Sequence, residues 1–161
     1  MIFVATGTQF PFDRLVRYLD EWVASNKADN KHSEAVFMQL GEGDYLPQHT
    51  QWKRFMGLED YNEKIKQSSV FISHAGMGNI ISAKDHGVPI IVINRQASLG
   101  EHRNDHQQEG LAWMAELEGV YTASTQEALY GLLDQRETLR AGKKSHDTSL
   151  TPLIDYLKSV L

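Results

Sequence analysis

Four stretches of this chain are almost continuously apolar: Ile2-Phe3-Val4-Ala5, Ala35-Val36-Phe37-Met38-Gln39-Leu40, Val70-Phe71-Ile72-Ser73 and Ile90-Ile91-Val92-Ile93. A strand with one face in water alternates apolar and polar residues; these do not, so they read as strands buried on both faces. Between them the apolar spacing changes to that of a helix. Phe12, Leu15, Val16, Leu19, Trp22 and Val23 form one stripe, over about Phe12 to Asn26. Leu58 to Gln67 reads as a second helix with Tyr61 and Ile65 inward, and Asn79 to His86 as a third, stopped by Gly87 and Pro89. A weaker strand is expected near Trp52–Met56 and a short one at Val120-Tyr121-Thr122, after a helix carrying Leu111, Ala112, Met114, Ala115 and Leu117. Ser124 and Glu127 have the spacing of a capping box for a helix through about Leu139. Strand and helix alternate throughout, which predicts an α/β fold: a mostly parallel, doubly wound sheet with helices on both faces.

The length, 161 residues, suits one domain. Residues 1–161 read as that domain, with polar 141–150 as a mobile linker before a last helix, begun by Thr151-Pro152, that carries Leu153, Ile154, Leu157 and Val160. A net charge of -5 argues against a surface built to hold nucleic acid. Cysteine is absent, which excludes disulfides and thiolate metal sites and is compatible with a reducing cytosol. The first residues lack a basic region and do not read as a signal peptide. No window approaches the roughly 20 apolar residues of a membrane span, so any membrane contact is expected to be peripheral.

In an open parallel sheet, ligands bind beyond the carboxyl ends of the strands. Three loops there stand out: Thr6-Gly7-Thr8, Ser73–Asn79 and Asn94–Glu109. The turn His74-Ala75-Gly76-Met77-Gly78 leads from a buried strand into a helix, whose N-terminal N–H groups and dipole suit a diphosphate. A ligand-free tight turn is the plainer alternative. Two sharper motifs fail: Gly76-Met77-Gly78 runs into Asn79-Ile80-Ile81 without the third small residue of a dinucleotide fingerprint, and no Gly-Lys-Ser/Thr exists. Hydride transfer and nucleoside-triphosphate hydrolysis are therefore disfavoured. Glu101 to Glu109 is dense in groups that can bond sugar hydroxyls. His102, His106 and Glu109 have a spacing that suits a metal on a helix, but no complete ligand motif is present, so no metal is expected. Asp105 reads equally as a helix N-cap. His32, His49, His86 and His146 carry no pattern and read as surface residues; Trp22 and Trp113 fall on helix stripes and read as core.

Taken together, Ile2–Thr8 with Phe12-Asp13-Arg14-Leu15, Ser73–Gly78, Gly87-Val88-Pro89-Ile90-Ile91-Val92 and Asp105-His106-Gln107-Gln108-Glu109 resemble the donor-binding domain of family 28 glycosyltransferases over about residues 1–125. Within that family the chain is similar to the short stand-alone proteins of the Alg13-like and bacterial exopolysaccharide-synthesis type. The resemblance implies half of a GT-B fold that binds a UDP-sugar, with no cofactor beyond that donor. It implies a diphosphate held by Gly76, Met77, Gly78 and Asn79 beside His74 and Ala75. Gly7 and Thr8 would lie across the same cleft, and Asp105, His106, Gln107 and Gln108 would lie at the sugar. It further implies inverting transfer of a hexose-type sugar to a lipid-linked acceptor, with an Alg14-like, membrane-associated subunit holding that acceptor. The chain itself would be cytoplasmic, at a membrane's inner face through its partner. No catalytic base is identified. Relatives carry a glutamate where Ser82 stands, so the ribose contact departs from the family pattern. A non-catalytic subunit that stabilises a transferase partner is the alternative; a stand-alone sugar-nucleotide hydrolase or epimerase is a third reading, disfavoured by the lack of an acid/base pair.

Overall fold

Side chains alternate across a strand, so a strand that is apolar throughout demands cover on both faces. The computed structural model, which describes residues 1–7, 10–29, 34–94 and 106–142 (the side chains of 106–109 excepted), meets that demand. In chain order the elements are β1 (Ile2–Ala5), α1 (Asp13–Ala28), β2 (Val36–Gln39), β3 (Gln51–Lys53), α2 (Leu58–Gln67), β4 (Val70–His74), α3 (Met77–His86), β5 (Ile90–Ile93), α4 (His106–Met114), β6 (Val120–Ala123) and α5 (Gln126–Asp134), with a short 3-10 turn at Arg136–Thr138. The strands form one sheet in the order β3-β2-β1-β4-β5-β6, and every pairing is parallel.

Two apolar layers result. Ile2, Val4, Val36, Met38, Ile72, Ile91 and Ile93 face α1 and α5 and pack with Leu15, Leu19, Trp22, Leu129 and Leu133. Phe3, Ala5, Phe37, Phe71, Ile90 and Val92 face the other way, against Ile65 of α2, Ile80 and Ala83 of α3, and Leu111 and Met114 of α4. Trp22 is buried as expected, and Trp113 and Trp52 pack half-buried on the second and first layer respectively. His49 is exposed and His86 half-buried.

Several boundaries differ from the sequence expectation. The third helix begins at Met77 rather than Asn79, because Gly76 takes the extended N-cap conformation (φ -121°, ψ 142°). Met77 and Gly78 therefore belong to the helix and not to the turn. The last described helix is capped by Thr125, not Ser124: its hydroxyl accepts from the Ala128 N–H at 3.1 Å. That helix stops at Asp134 and the chain continues as the 3-10 turn, short of Leu139. The weak strand is Gln51–Lys53, at the edge of the sheet, and the carbonyl of Arg54 beyond it accepts from the Gln39 side chain. The expected linker at 141–150 and the helix after it lie outside the described residues, apart from Ala141 and Gly142.

The crossover from β2 to β3 is helix-free and lies along α1, where two carboxylates anchor it. Asp13 accepts from the N–H groups of Asp44 and Tyr45, each at 3.3 Å. Asp20 is buried and accepts from the Tyr45 hydroxyl at 2.7 Å and the N–H groups of Gln48 and His49 at 3.1 and 2.8 Å. Burial alone would raise the Asp20 carboxyl, but these donors outweigh it and hold it below the usual carboxylate range. In turn, the bond to Asp20, together with burial, pushes the Tyr45 phenol up to about 12.

At the opposite end of the sheet from the β1, β2 and β4 carboxyl termini, Glu34 gathers three elements. Its carboxylate accepts from the Met1 ammonium at 2.7 Å, from Arg136 Nε at 2.9 Å and from the Ser69 hydroxyl. Burial opposes its charge, but these donors pull its carboxyl from 4.5 down to about 2. A depressed carboxyl stabilises the fold above its unfolded value, and that stability is lost as pH falls toward the folded one. Glu34→Gln is therefore expected to lower stability at pH 7 by about 1–2 kcal/mol, after allowance for partial solvent screening. The gap from the native chain should close as pH falls from 4.5 to about 2. Urea unfolding across that range checks it; a gap independent of pH would contradict the ion-pair account.

Candidate functional site

The order of the strands places β1 beside β4. From β1 the chain crosses to α1 on one face of the sheet, and from β4 to α3 on the other. The carboxyl ends of these two strands are thus the topological switch point, where a crevice opens. Gly7 and His74 stand on its two sides. With Gln39, Met56, Tyr61 and Asn79 they line a cleft of about 220 Å³, smaller than the roughly 300 Å³ at which whole-ligand pockets begin.

The wall on the β1 side is built from backbone and braced by amide and guanidinium groups. Gly7 has φ +87°, a conformation that favours glycine. Its carbonyl accepts from Gln39 Nε2 at 3.3 Å, and the same amide donates to the Arg54 carbonyl at 2.8 Å. Arg54 in turn donates to the carbonyls of Gly41 and Gly43 at 3.2 and 2.7 Å. Gly41 has φ +60°, and a Cβ there would sit 2.3 Å from the Gly7 carbonyl oxygen. Gln39, Gly41 and Arg54 thus hold the Gly7 loop in place from behind.

On the β4 side, the wall is the start of α3. The Ala75 N–H donates to the Ile93 carbonyl and the Gly76 N–H to the His74 carbonyl. Ala75 also turns its side chain into the core. Met77, Gly78 and Asn79 occupy the first turn, whose N–H groups have no intrahelical acceptor by geometry. That turn has no side-chain cap and no acidic residue. The His74 ring lies over Gly76, where a Cβ would meet its Cε1 at 2.6 Å. Gly78 is different: it is exposed, and among the described residues nothing lies within 4 Å of the Cβ position. Asn79 Oδ1 accepts from the Tyr61 hydroxyl at 2.7 Å, and its Nδ2 is 3.5 Å from His74 Nε2. Burial raises the Tyr61 phenol well above its ordinary range, so it remains a proton donor.

A third element approaches from β5. Asn94 follows that strand, is buried, and has no partner for its Oδ1 among the described residues. Its carbonyl accepts from the Arg14 guanidinium at 2.7 Å.

Of the residues singled out in the sequence, Gly7, His74 and Asn79 meet in the cleft, and Gly76, Met77 and Gly78 form the adjoining helix start. Thr8, Asp105, His102 and Glu101 lie outside the described residues. His106, Gln107, Gln108 and Glu109 are in the first half of α4, with their side chains outside the description. Among the described residues no three carboxylate or imidazole side chains converge to hold a metal. Ser82 is half-buried on α3. Sequence reasoning did not find Gln39, Met56 and Tyr61: Gln39 is the one polar residue in an apolar strand, a signal that was available, whereas Met56 and Tyr61 look like ordinary core.

Over residues 1–152 the chain matches the glycosyltransferase family 28 C-terminal domain, and it belongs to that family. It is 25% identical over 108 residues to the UDP-N-acetylglucosamine transferase subunit ALG13 of Homo sapiens, a stretch that is 63% of this chain and 9% of the relative. The chain thus spans less than a tenth of that curated relative's length. The solution structure of ALG13 covers 97% of this chain and 93% of its own, at 19% identity and a TM-score of 0.60. The glycotransferase of kitacinnamycin covers 98% of this chain and 39% of its own, at 16% identity and 0.61. MurG of Acinetobacter baumannii covers 86% and 42%, at 16% identity and 0.55. The domain is therefore half of a GT-B glycosyltransferase fold, of the Alg13-like kind. No helix among the described residues is long and apolar enough to cross a membrane.

The bracing behind Gly7 can be tested without a ligand. Gly41→Ala is expected to cost at least about 2 kcal/mol, from the left-handed backbone and the contact with Gly7 together. Gly57→Ala, with nothing within 4 Å of its Cβ position, should cost much less. Denaturant midpoints of the two variants check it; equal losses would contradict the bracing.

Proposed function

We propose that this family 28 domain is the donor-binding part of a two-component inverting glycosyltransferase that takes a UDP-sugar and transfers a hexose-type sugar to a lipid-linked acceptor. The observation that carries the reading is the uncapped first turn of α3 at the switch point, with no acidic residue on it. The N–H groups of Met77, Gly78 and Asn79 would receive the diphosphate, and the bare face at Gly78 lets its oxygens approach the backbone closely. The adjoining cleft of Gly7, Gln39, Met56 and Tyr61 would take the nucleoside, because it pairs one flexible apolar side chain with amide and carbonyl groups. His106, Gln107 and Gln108, at the start of α4, together with Asp105 and Thr8, would lie toward the sugar.

In that arrangement the acceptor hydroxyl attacks the anomeric carbon from the side opposite the diphosphate. The bond to the UDP oxygen breaks as the new glycosidic bond forms, and the acceptor's proton goes to a base. The negative charge that develops on the leaving diphosphate is stabilised by the α3 dipole and its free N–H groups. The acceptor and the base would come from an Alg14-like, membrane-associated subunit. That picture fits a domain that covers 39–42% of two larger GT-B structures. It also places the chain on the cytoplasmic side of a membrane, through the partner.

One observation favours a second reading. Ser82 stands on α3 where the family pattern implies a glutamate for the ribose, and the first turn of the helix offers no other carboxylate. A chain that has lost that contact would serve as a non-catalytic subunit of a transferase. Donor binding by the isolated chain separates the two readings.

Two measurements test the proposal. A uridine nucleotide at a hundred times its dissociation constant should add about 2.7 kcal/mol of stability, a shift of roughly 5–10 °C for a chain of this size. NAD or GDP at the same concentration should not. Gly78→Asp should leave the fold intact or slightly stabilised, because an acidic residue suits a helix N-terminus. Yet it should weaken UDP at least about tenfold, by placing a charge against the diphosphate. Unchanged UDP affinity in that variant would refute the phosphate assignment. Gln107→Ala should weaken the UDP-sugar more than free UDP; equal losses would remove its sugar contact.

A further inference from the structure

Building on the donor-site reading above, we infer that Tyr61, on α2, is a positioning residue that sets which end of the Asn79 amide faces the ligand. An asparagine side chain has two orientations, 180° apart, that exchange its carbonyl acceptor for its NH2 donor. Beside a diphosphate only one is useful: NH2 toward the anion adds a donor, whereas the carbonyl would repel it. The Tyr61 hydroxyl bonds Asn79 Oδ1 at 2.7 Å. That contact commits the carbonyl to Tyr61 and leaves Nδ2 toward His74, whose Nε2 is 3.5 Å away; Tyr61, His74 and Asn79 all line the cleft.

Tyr61 is itself held rigidly enough to act as a reference. Its ring stands edge-on to Phe3, with centroids 5.4 Å apart and planes at 76°. It is also edge-on to Phe71, at 6.2 Å and 84°. Both phenylalanines belong to the central strands β1 and β4, the pair that forms the switch point. The hydroxyl is thus fixed relative to the same strands that place Gly7 and His74. The packing on Phe3 and Phe71 needs the ring alone, and phenylalanine would supply it. The hydroxyl's contribution is directional.

The test uses the whole chain with UDP and uridine as probes. Tyr61→Phe should weaken UDP at least about tenfold, the loss of one hydrogen bond to a charged group. Its affinity for uridine, which lacks the diphosphate, should fall clearly less than its affinity for UDP, although Tyr61 also lines the cleft. In an Asn79→Ala background the same substitution should have no further effect on UDP, because the group it orients is gone. Asn79→Asp, which still accepts from Tyr61 but turns an anionic oxygen to the ligand, should weaken UDP more than Asn79→Ala does. If Tyr61→Phe leaves UDP affinity unchanged, or weakens UDP equally with and without Asn79, the positioning role is overturned. A parallel loss of uridine would show that Tyr61 acts on the cleft as a whole and would overturn it too. If the native chain binds neither probe, the donor-site reading itself fails and this inference falls with it; binding by the native chain confines any failure to Tyr61.

Discussion

The adjacency of β1 and β4, two buried parallel strands whose connections leave on opposite faces, is the constraint on which the rest of this molecule depends. Among the described residues, α1 and α3 diverge from the space between their carboxyl ends, and a cleft lined by Gly7 and His74 opens there. The start of α3, which has no side-chain cap, adjoins that cleft, and the core on both sides of the sheet holds it in place. Burying Phe3, Phe71 and Ile72 stabilises the fold and, by the same packing, fixes the geometry of the cleft.

Polar contacts then adjust what the core has positioned. Gln39 interrupts an apolar strand, yet its amide ties the Gly7 carbonyl to that of Arg54. Asp13 and Asp20 hold the β2–β3 crossover against α1. The two groups of bonds share one loop: Arg54 bonds the carbonyls of Gly41 and Gly43, and a Cβ at Gly43 would lie 2.5 Å from Asp13 Oδ1. The rigidity of α1 is thereby passed to the wall of the cleft through backbone contacts that tolerate no side chain.

The fold was legible because burial on both faces leaves a plain mark: uninterrupted Val, Ile and Phe in β1, β4 and β5, each bounded by a turn residue. Helix starts were less so. Gly76 and Thr125 set them through backbone conformation and a single hydroxyl bond, which local composition does not distinguish from Asn79 or Ser124 as the starting signal. For the site, glycines announced the backbone side, Gly7 and Gly76–Gly78, since few other residues suit a close approach. Tyr61 and Met56 were hidden. The place of Tyr61 in the cleft arises from α2 meeting α3 on one face of the sheet, a contact between residues 18 apart (Tyr61 with Asn79) that no local periodicity encodes.

Titration of the isotope-labelled chain with UDP, followed at the backbone amides of Met77, Gly78 and Asn79, addresses the central claim most directly. Large, saturable shifts at these three amides with UDP, and much smaller ones with uridine, are what an uncapped helix terminus built to receive a diphosphate predicts. Saturable shifts that leave these amides unmoved, or equal responses to UDP and uridine, would contradict it.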